Sequence, residues 1–200
     1  MKNIPQNPDQ SPPKSDDTKP KITALKFLTT IFADIEEGEN VCVSRAIEKK
    51  DGTGFWFKNH LITDRPFRKW NPDTQAQAWF FCVSTVSGEL NAKRTMIGRG
   101  RKNLMRAHCF VLDDIGTKAT PPPVEPSWKM ETSPGNYQWG YMIDPTNNFA
   151  KYEAMLEHCH QQGWGDAGAN GSYRLMRVPG SANLKPGRKG FHSQVSHWEH

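Results

Sequence analysis

The stretch Phe110-Val111-Leu112-Asp113-Asp114-Ile115-Gly116-Thr117-Lys118 constrains this chain more than any other. It closes a segment, Leu104 to Leu112, that reads as a buried strand, because short apolar runs bounded by turn signals usually are. Aspartate is a poor strand residue, so two in succession at the end of a core strand need a reason. Two like charges about 4 Å apart repel by roughly 4 kcal/mol at an effective dielectric near 20. A divalent cation removes that repulsion, and paired metal ions about 4 Å apart are the usual engine of phosphoryl chemistry. The same two residues also suit the opening of a loop, where Asp is common. The nonapeptide alone leaves both readings open.

Charge distribution bears on the choice. The 200 residues carry a formal net charge of only +5. Yet Lys93 to His108 holds Lys93, Arg94, Arg99, Arg101, Lys102 and Arg106 with no acid, and Ala167 to Trp198 holds Arg174, Arg177, Lys185, Arg188 and Lys189 with no acid. Two cationic segments flanking acidic positions suit a polyanion held while metal ions act on it; a solvated face is the alternative for either. No apolar stretch approaches the roughly 18 residues of a membrane span, and the N-terminus lacks the apolar core of a signal peptide. Cys42, Cys82, Cys109 and Cys159 form no C-x-x-C pattern. Reduced thiols and a cytoplasmic location are expected.

Along the chain, residues 1–21 are rich in Pro, Asn, Ser and Lys and read as a disordered leader. Residues 22–36 place Leu25, Leu28, Phe32 and Ile35 at helical spacing. Val41–Ile47 and Phe55-Trp56-Phe57 read as a hairpin turned at Asp51-Gly52, His60–Trp70 as a loop, and Trp79–Val86 as one core strand. Trp128–Thr132 and Tyr137–Ile143 flank the turn Ser133-Pro134-Gly135-Asn136. Asn148–Gln162 is helical up to Gly163, and Tyr173–Val178 and Phe191–Val195 are extended. This order implies an α+β domain with a mixed or antiparallel sheet. The chain stops at Glu199-His200 without a closing element and is expected to belong to a longer polypeptide.

Three features can converge on one site. They are Asp113-Asp114, provided the strand ends or bulges there; Asp166 in the glycine turn Gly165-Asp166-Ala167-Gly168; and the cationic run Arg174 to Lys185 around Pro179-Gly180, where guanidinium forks and backbone N–H groups suit phosphate. By itself Asp166 reads equally as a turn residue. His158-Cys159-His160 sits on a helix where adjacent residues do not share a face, so it makes a poor zinc site.

Together, Leu112 to Lys118, Glu131-Thr132-Ser133-Pro134-Gly135-Asn136-Tyr137-Gln138-Trp139-Gly140, and Gly165-Asp166 through Arg174 to Lys185 resemble the plasmid- and phage-encoded branch of the archaeo-eukaryotic primase (primase-polymerase) superfamily. The resemblance implies an RNA-recognition-like catalytic sheet packed with an N-terminal α/β unit, both within residues 22–200. It implies template-directed nucleotidyl transfer in replication of a phage or other mobile element, with two divalent ions, Mg²⁺ or Mn²⁺. It also implies a single-stranded DNA template, nucleoside triphosphates and, in relatives, a fused helicase domain. Carried over, Asp113 and Asp114 fall on the first acidic motif and Asp166 on the third. Lys118, Ser133, Gln138, Arg174, Arg177 and Lys185 fall to nucleotide binding; separately, the dense charge of the first cationic segment suits Arg99, Arg101, Lys102 and Arg106 to nucleic-acid backbone. Two departures stand out. The acids of the first motif are adjacent rather than spaced by one residue, and Gln138-Trp139 stand near the second motif's usual histidine, leaving the triphosphate to the cations. A non-catalytic single-strand-binding module and a metal-dependent nuclease remain the alternatives.

Overall fold

The computed structural model describes residues 22–62, 70, 72–88, 99–168 and 170–199. The expected leader, most of the expected loop (63–69) and the 93–98 part of the first cationic segment lie outside them.

Helix α1 (Ala24–Ile31) starts where the Thr23 hydroxyl caps the Lys26 N–H at 3.2 Å. It buries Phe27, Leu28 and Ile31 and leaves Leu25 exposed. It is shorter than the periodicity predicts. Phe32 and Ile35 are buried, but the chain leaves helical geometry at Phe32, and the Asp34 carbonyl accepts from Arg106 Nη2 at 2.7 Å.

Strands β1 (Glu39–Glu48) and β2 (Phe55–Ile62) form the expected hairpin, with β2 running into the segment expected to be loop. The single strand expected at Trp79–Val86 is broken at Val83 into β3 (Trp79–Cys82) and β4 (Ser84–Ser87). The break frees Val83 to accept from the His108 N–H at 3.0 Å and to donate to the Arg174 carbonyl at 3.3 Å. A short 3-10 turn, Arg101–Asn103, leads into β5 (Leu104–Ile115). Then follow the hairpin β6 (Trp128–Ser133) and β7 (Asn136–Thr146), helix α2 (Phe149–Gln161), β8 (Leu175–Arg177) and β9 (Gln194–Trp198).

These strands make one nine-stranded sheet in the order β8-β3-β1-β4-β5-β7-β6-β9, with β2 also paired to β1. Every pairing between named strands is antiparallel. The architecture is therefore α+β, as the element order implies. The N-terminal elements, expected to form a unit of their own, are hydrogen-bonded into the same sheet through β1–β4 and β4–β5.

The sheet curls around α1. The Phe27 ring meets Phe81 of β3 edge-on at 5.5 Å, Trp128 of β6 at 5.3 Å and Trp198 of β9 at 5.4 Å, joining strands far apart in the sheet order in one core. Trp128 lies across Gly140 of β7, where a Cβ would stand 1.9 Å from its ring, so glycine is required there. Helix α2 docks on β5 through the Tyr152 hydroxyl, which donates to the Cys109 carbonyl at 3.2 Å. Among the described residues no helix is long and apolar enough to cross a membrane.

Candidate active site

Strand β5 does not end before its acids; it bulges at them. The β5–β7 register shifts between Leu112 and Ile115, and Asp114 takes the left-handed φ of 58°. A left-handed residue reverses the side-chain alternation locally, which lets two consecutive acids share one face. Asp113 and Asp114 accordingly line the same cavity, of about 230 Å³.

The chain then folds back tightly. The Asp114 carbonyl accepts the N–H groups of Thr117, Lys118 and Ala119 at 3.3, 3.0 and 3.1 Å. Gly116 (φ 90°) makes the turn possible, since a Cβ there would lie 2.6 Å from the Gly135 carbonyl. This return places Lys118 Nζ 2.6 Å from Asp114 Oδ2. The Asp166 turn docks beside it, with the Asp166 N–H donating to the Asp113 carbonyl at 3.1 Å and the Thr120 N–H to the Gly163 carbonyl at 2.9 Å. Asp166 Oδ2 is 3.0 Å from the same Lys118 Nζ.

Electrostatics follow from this geometry. Burial and the neighbouring Asp114 charge raise the Asp113 carboxyl above its ordinary range. Lys118 holds Asp166 below its own, and Asp114 and Asp166 push the Lys118 ammonium upward. Asn136, at the start of β7, donates to Asp114 Oδ1 at 2.9 Å and to Thr132 Oγ1 at 3.0 Å, and it accepts from the Thr117 hydroxyl. The β6–β7 turn thus fixes the Asp114 carboxylate.

Among the cations, Arg177 lines the cavity and is only 7% exposed. Its Nη1 donates to the Ala182 carbonyl at 2.9 Å, and its guanidinium lies 4.9 Å from the Phe80 ring centroid. Burial lowers its pKa to about 10, so it stays charged at neutral pH. Gln138 joins it from β7, its Oε1 accepting the Arg177 N–H at 3.1 Å. Lys185 and Arg188 are exposed on the cavity rim. Arg174 is half-buried near Asp113 and Asp166, and its Nη1 meets no hydrogen-bond partner among the described residues. Ser133 is buried in the hairpin and does not line the cavity; its neighbours Thr132 and Asn136 do, together with Asn183.

The first cationic segment is placed differently from expectation. Arg106 grips Glu39 with Nε and Nη2 at 2.7 and 2.8 Å and Glu36 with Nη1 at 2.8 Å, so it acts as a structural clamp. Arg101 pairs with Glu153, and Arg99 donates to the Tyr173 carbonyl at 2.9 Å. Of the four candidates for nucleic-acid backbone, Lys102 alone makes no ion pair or side-chain hydrogen bond among the described residues, and it is exposed.

No motif or spacing in the sequence marks the remaining wall of the cavity, which consists of Phe55 and Phe57 of β2, Ala46 of β1, Phe80 of β3, and Ala78 just before it.

The donor set suits a hard divalent cation in kind, because Asp113, Asp114 and Asp166 offer only oxygens. Two of those carboxylates already converge on one cation, the Lys118 ammonium. Among the described residues no three His, Cys, Asp or Glu side chains come together as a ready-made metal cage.

No protein-family model matches the sequence, and no curated protein matches it. Among solved structures, the AEP domain of the cyanophage S-2L primase-polymerase (PrimPol) matches with a TM-score of 0.56 over 88% of this chain and 89% of that one, at 11% sequence identity. The two chains share a fold. The likeness extends to the fold alone, and the roles of individual side chains rest on the geometry above.

Proposed function

We propose that this chain catalyses template-directed nucleotidyl transfer, as a DNA primase or polymerase in replication of a phage or other mobile element. The observation that carries the proposal is the left-handed Asp114 at the β5 bulge, which turns two adjacent carboxylates into a cavity also lined by Arg177 and Lys185. A structural role would not need two acids on one half-buried face, and burial together with the Asp114 charge disfavours the ionised Asp113 carboxyl in the free protein. The shared fold of a phage primase-polymerase supports the same reading.

In this proposal Asp113, Asp114 and Asp166 hold Mg²⁺ or Mn²⁺, which when bound supplies charge stabilisation and activation of a 3′-hydroxyl. The chain's own residues do the rest. Arg177 presents a buried guanidinium that is charged at neutral pH, and buried donors aimed at developing charge are the most effective kind. Lys185 and Arg188 add mobile cations at the mouth. Gln138 fixes the β7–β8 spacing through the Arg177 backbone, so it serves this site as a brace in place of a charged histidine. Arg174 brings a further guanidinium toward Asp113 and Asp166. The template strand is single-stranded DNA, and Lys102 is the cation of the 99–106 segment free to meet its backbone.

Incubation with a single-stranded template, labelled nucleotides and Mn²⁺ tests the proposal. Extension products support it. A second reading, a binding module without catalysis, draws on the same Lys118 that neutralises Asp114 and Asp166; tight template binding without any incorporation selects it. Shortening of the template selects a nuclease.

A further inference from the structure

The aromatic wall of the cavity is set by strand register. Ala46 lies opposite Phe57 of β2, and Ser44 lies opposite both Asn59 of β2 and Phe80 of β3. Residues directly opposite one another share a face. Phe57, Ala46, Ser44 and Phe80 therefore lie on one face, and Phe80 is in turn opposite Arg177 of β8. Large rings flank a floor of small residues. Phe57 meets Phe80 edge-on, with centroids 5.5 Å apart and planes at 81°. That contact orients the Phe57 ring, yet Phe57 remains 42% exposed. An exposed phenylalanine, held by a second ring and lining a cavity that holds two carboxylates, is a wall for a flat apolar ligand.

We infer that this wall is the subsite for the base of the incoming nucleoside triphosphate, with Phe57 as the stacking residue. The inference rests on the nucleotidyl-transfer reading. Charge sorts the two ends of such a ligand: Arg177 and Lys185 serve the phosphates beside the metal-binding Asp113 and Asp114, and the uncharged Phe55 and Phe57 serve the base, while Phe80 carries the Arg177 guanidinium over its ring and holds Phe57 in place. At about 230 Å³ the cavity lies below the roughly 300–1,000 Å³ of a pocket for a drug-sized ligand, so the wall has room for a single base and not for a run of stacked bases, and the phosphates reach the mouth where Lys185 and Arg188 stand. Phe, Ala and Phe offer no polar group to read a base edge. Stacking accepts any base because every base has a π-face, and that suits a subsite where the template makes the choice.

The test compares the full chain with Phe57→Ala, Phe57→Leu and Phe57→Trp in Mn²⁺. The probes are 2-aminopurine deoxyribonucleoside triphosphate, whose fluorescence is quenched by stacking, and a deoxyribose triphosphate lacking a base. Wild type and Phe57→Trp should quench and bind the first probe. Phe57→Ala and Phe57→Leu should lose quenching and bind it about five- to 150-fold more weakly, the range spanned by base–aromatic stacking. All four proteins should bind the base-free probe alike and unfold in one cooperative transition, with loss of the Phe57–Phe80 ring contact lowering the melting temperature of Phe57→Ala and Phe57→Leu by no more than about 5 degrees. Anisotropy of a labelled single-stranded oligonucleotide should be the same for all four. Equal binding of the aminopurine nucleotide by Phe57→Ala and wild type overturns the inference. So does equal weakening of both probes, or loss of oligonucleotide binding in place of nucleotide binding, which would give the wall to the strand. If wild type extends a template while Phe57→Ala binds the aminopurine nucleotide normally, the subsite is wrong and the nucleotidyl-transfer reading stands. If wild type neither binds nor incorporates nucleotides, both fall.

Discussion

Lys118 Nζ lies 2.6 Å from Asp114 Oδ2, and the same nitrogen reaches Asp166 Oδ2 at 3.0 Å, so the acids of the site hold a cation that the chain itself supplies. A divalent ion bound by those carboxylates must displace it. Lys118 is largely exposed, which limits each ion pair to about 1 kcal/mol or less, or up to about fivefold in a binding constant. Lys118→Ala should therefore raise Mn²⁺ affinity severalfold, read by calorimetry or electron paramagnetic resonance. Unchanged metal affinity with weakened nucleotide binding would instead make Lys118 a triphosphate ligand.

Asp114 separates backbone from carboxylate. Asn tolerates the left-handed region and β-branched residues do not, so Asp114→Asn should keep the fold while Asp114→Val loses about 1–2 kcal/mol or more in urea unfolding. Both should lose nucleotide incorporation. Equal stability of the two variants would show that the left-handed φ is not what shapes the bulge.

Arg177 makes no ion pair among the described residues, although the Asp113 charge acts on its guanidinium; its contacts are the Ala182 carbonyl, Phe80 and the cavity. Arg177→Ala should weaken nucleotide use by about a hundredfold, the scale of losing one well-placed donor, and also lower stability by removing a buried hydrogen bond. Arg177→Lys should recover part of the nucleotide effect, because an ammonium cannot reproduce both the stack and the fork. Normal nucleotide kinetics with a lowered melting temperature would reduce Arg177 to a structural residue.

Arg106 and Lys102 should divide the expected role of the first cationic segment. Arg106→Ala leaves Glu39 buried without its cation and should cost about 3 kcal/mol of stability. Its effect on the salt dependence of single-strand binding should be nil. Lys102→Ala should leave stability unchanged and flatten that salt dependence by about one phosphate contact. The reverse assignment would return Arg106 to the nucleic-acid surface.

Acid sensitivity should centre on His108. It is fully buried beside Phe32, with Thr85 Oγ1 at 3.4 Å and Glu39 at 3.7 Å from its Nε2 and Arg106 nearby, and burial lowers its pKa to about 4. Between pH 6.5 and about 4 the unfolded chain takes up a proton that the folded chain refuses, so stability falls as pH falls through that window. The loss should reach about 3 kcal/mol below pH 4. Glu39, held below its ordinary range by Arg106 and the Glu36 N–H despite burial, adds loss in the same direction at lower pH. His108→Gln should shallow the slope between pH 6.5 and 4; an unchanged slope would exclude His108 as its source.

Much of this architecture is legible in the chain because local chemistry dictates it. The β6–β7 hairpin follows from Ser133-Pro134-Gly135-Asn136, and α2 from its cap at Asn148 and its stop at Gly163. The condition for Asp113 and Asp114 to share a site, a strand that ends or bulges, is also readable, and the bulge is what occurs. What hides is whatever depends on pairing. Phe57 and Phe80 meet only because β1 pairs with both of their strands in one particular register. Arg106 looks like any other cation in its basic run until folding brings Glu39 to it. The return of Lys118 onto Asp114 depends on three N–H groups sharing one carbonyl, which no spacing announces.

The central claim is that Asp113, Asp114 and Asp166 serve templated nucleotidyl transfer. The most direct measurement supplies a homopolymeric single-stranded template, Mn²⁺ and each nucleotide separately, to wild type and to Asp113→Asn, Asp114→Asn and Asp166→Asn. The account predicts extension by wild type with the complementary nucleotide only, and none by any of the three folded variants. Extension that ignores the template, or that survives in the Asp114→Asn variant, would contradict it.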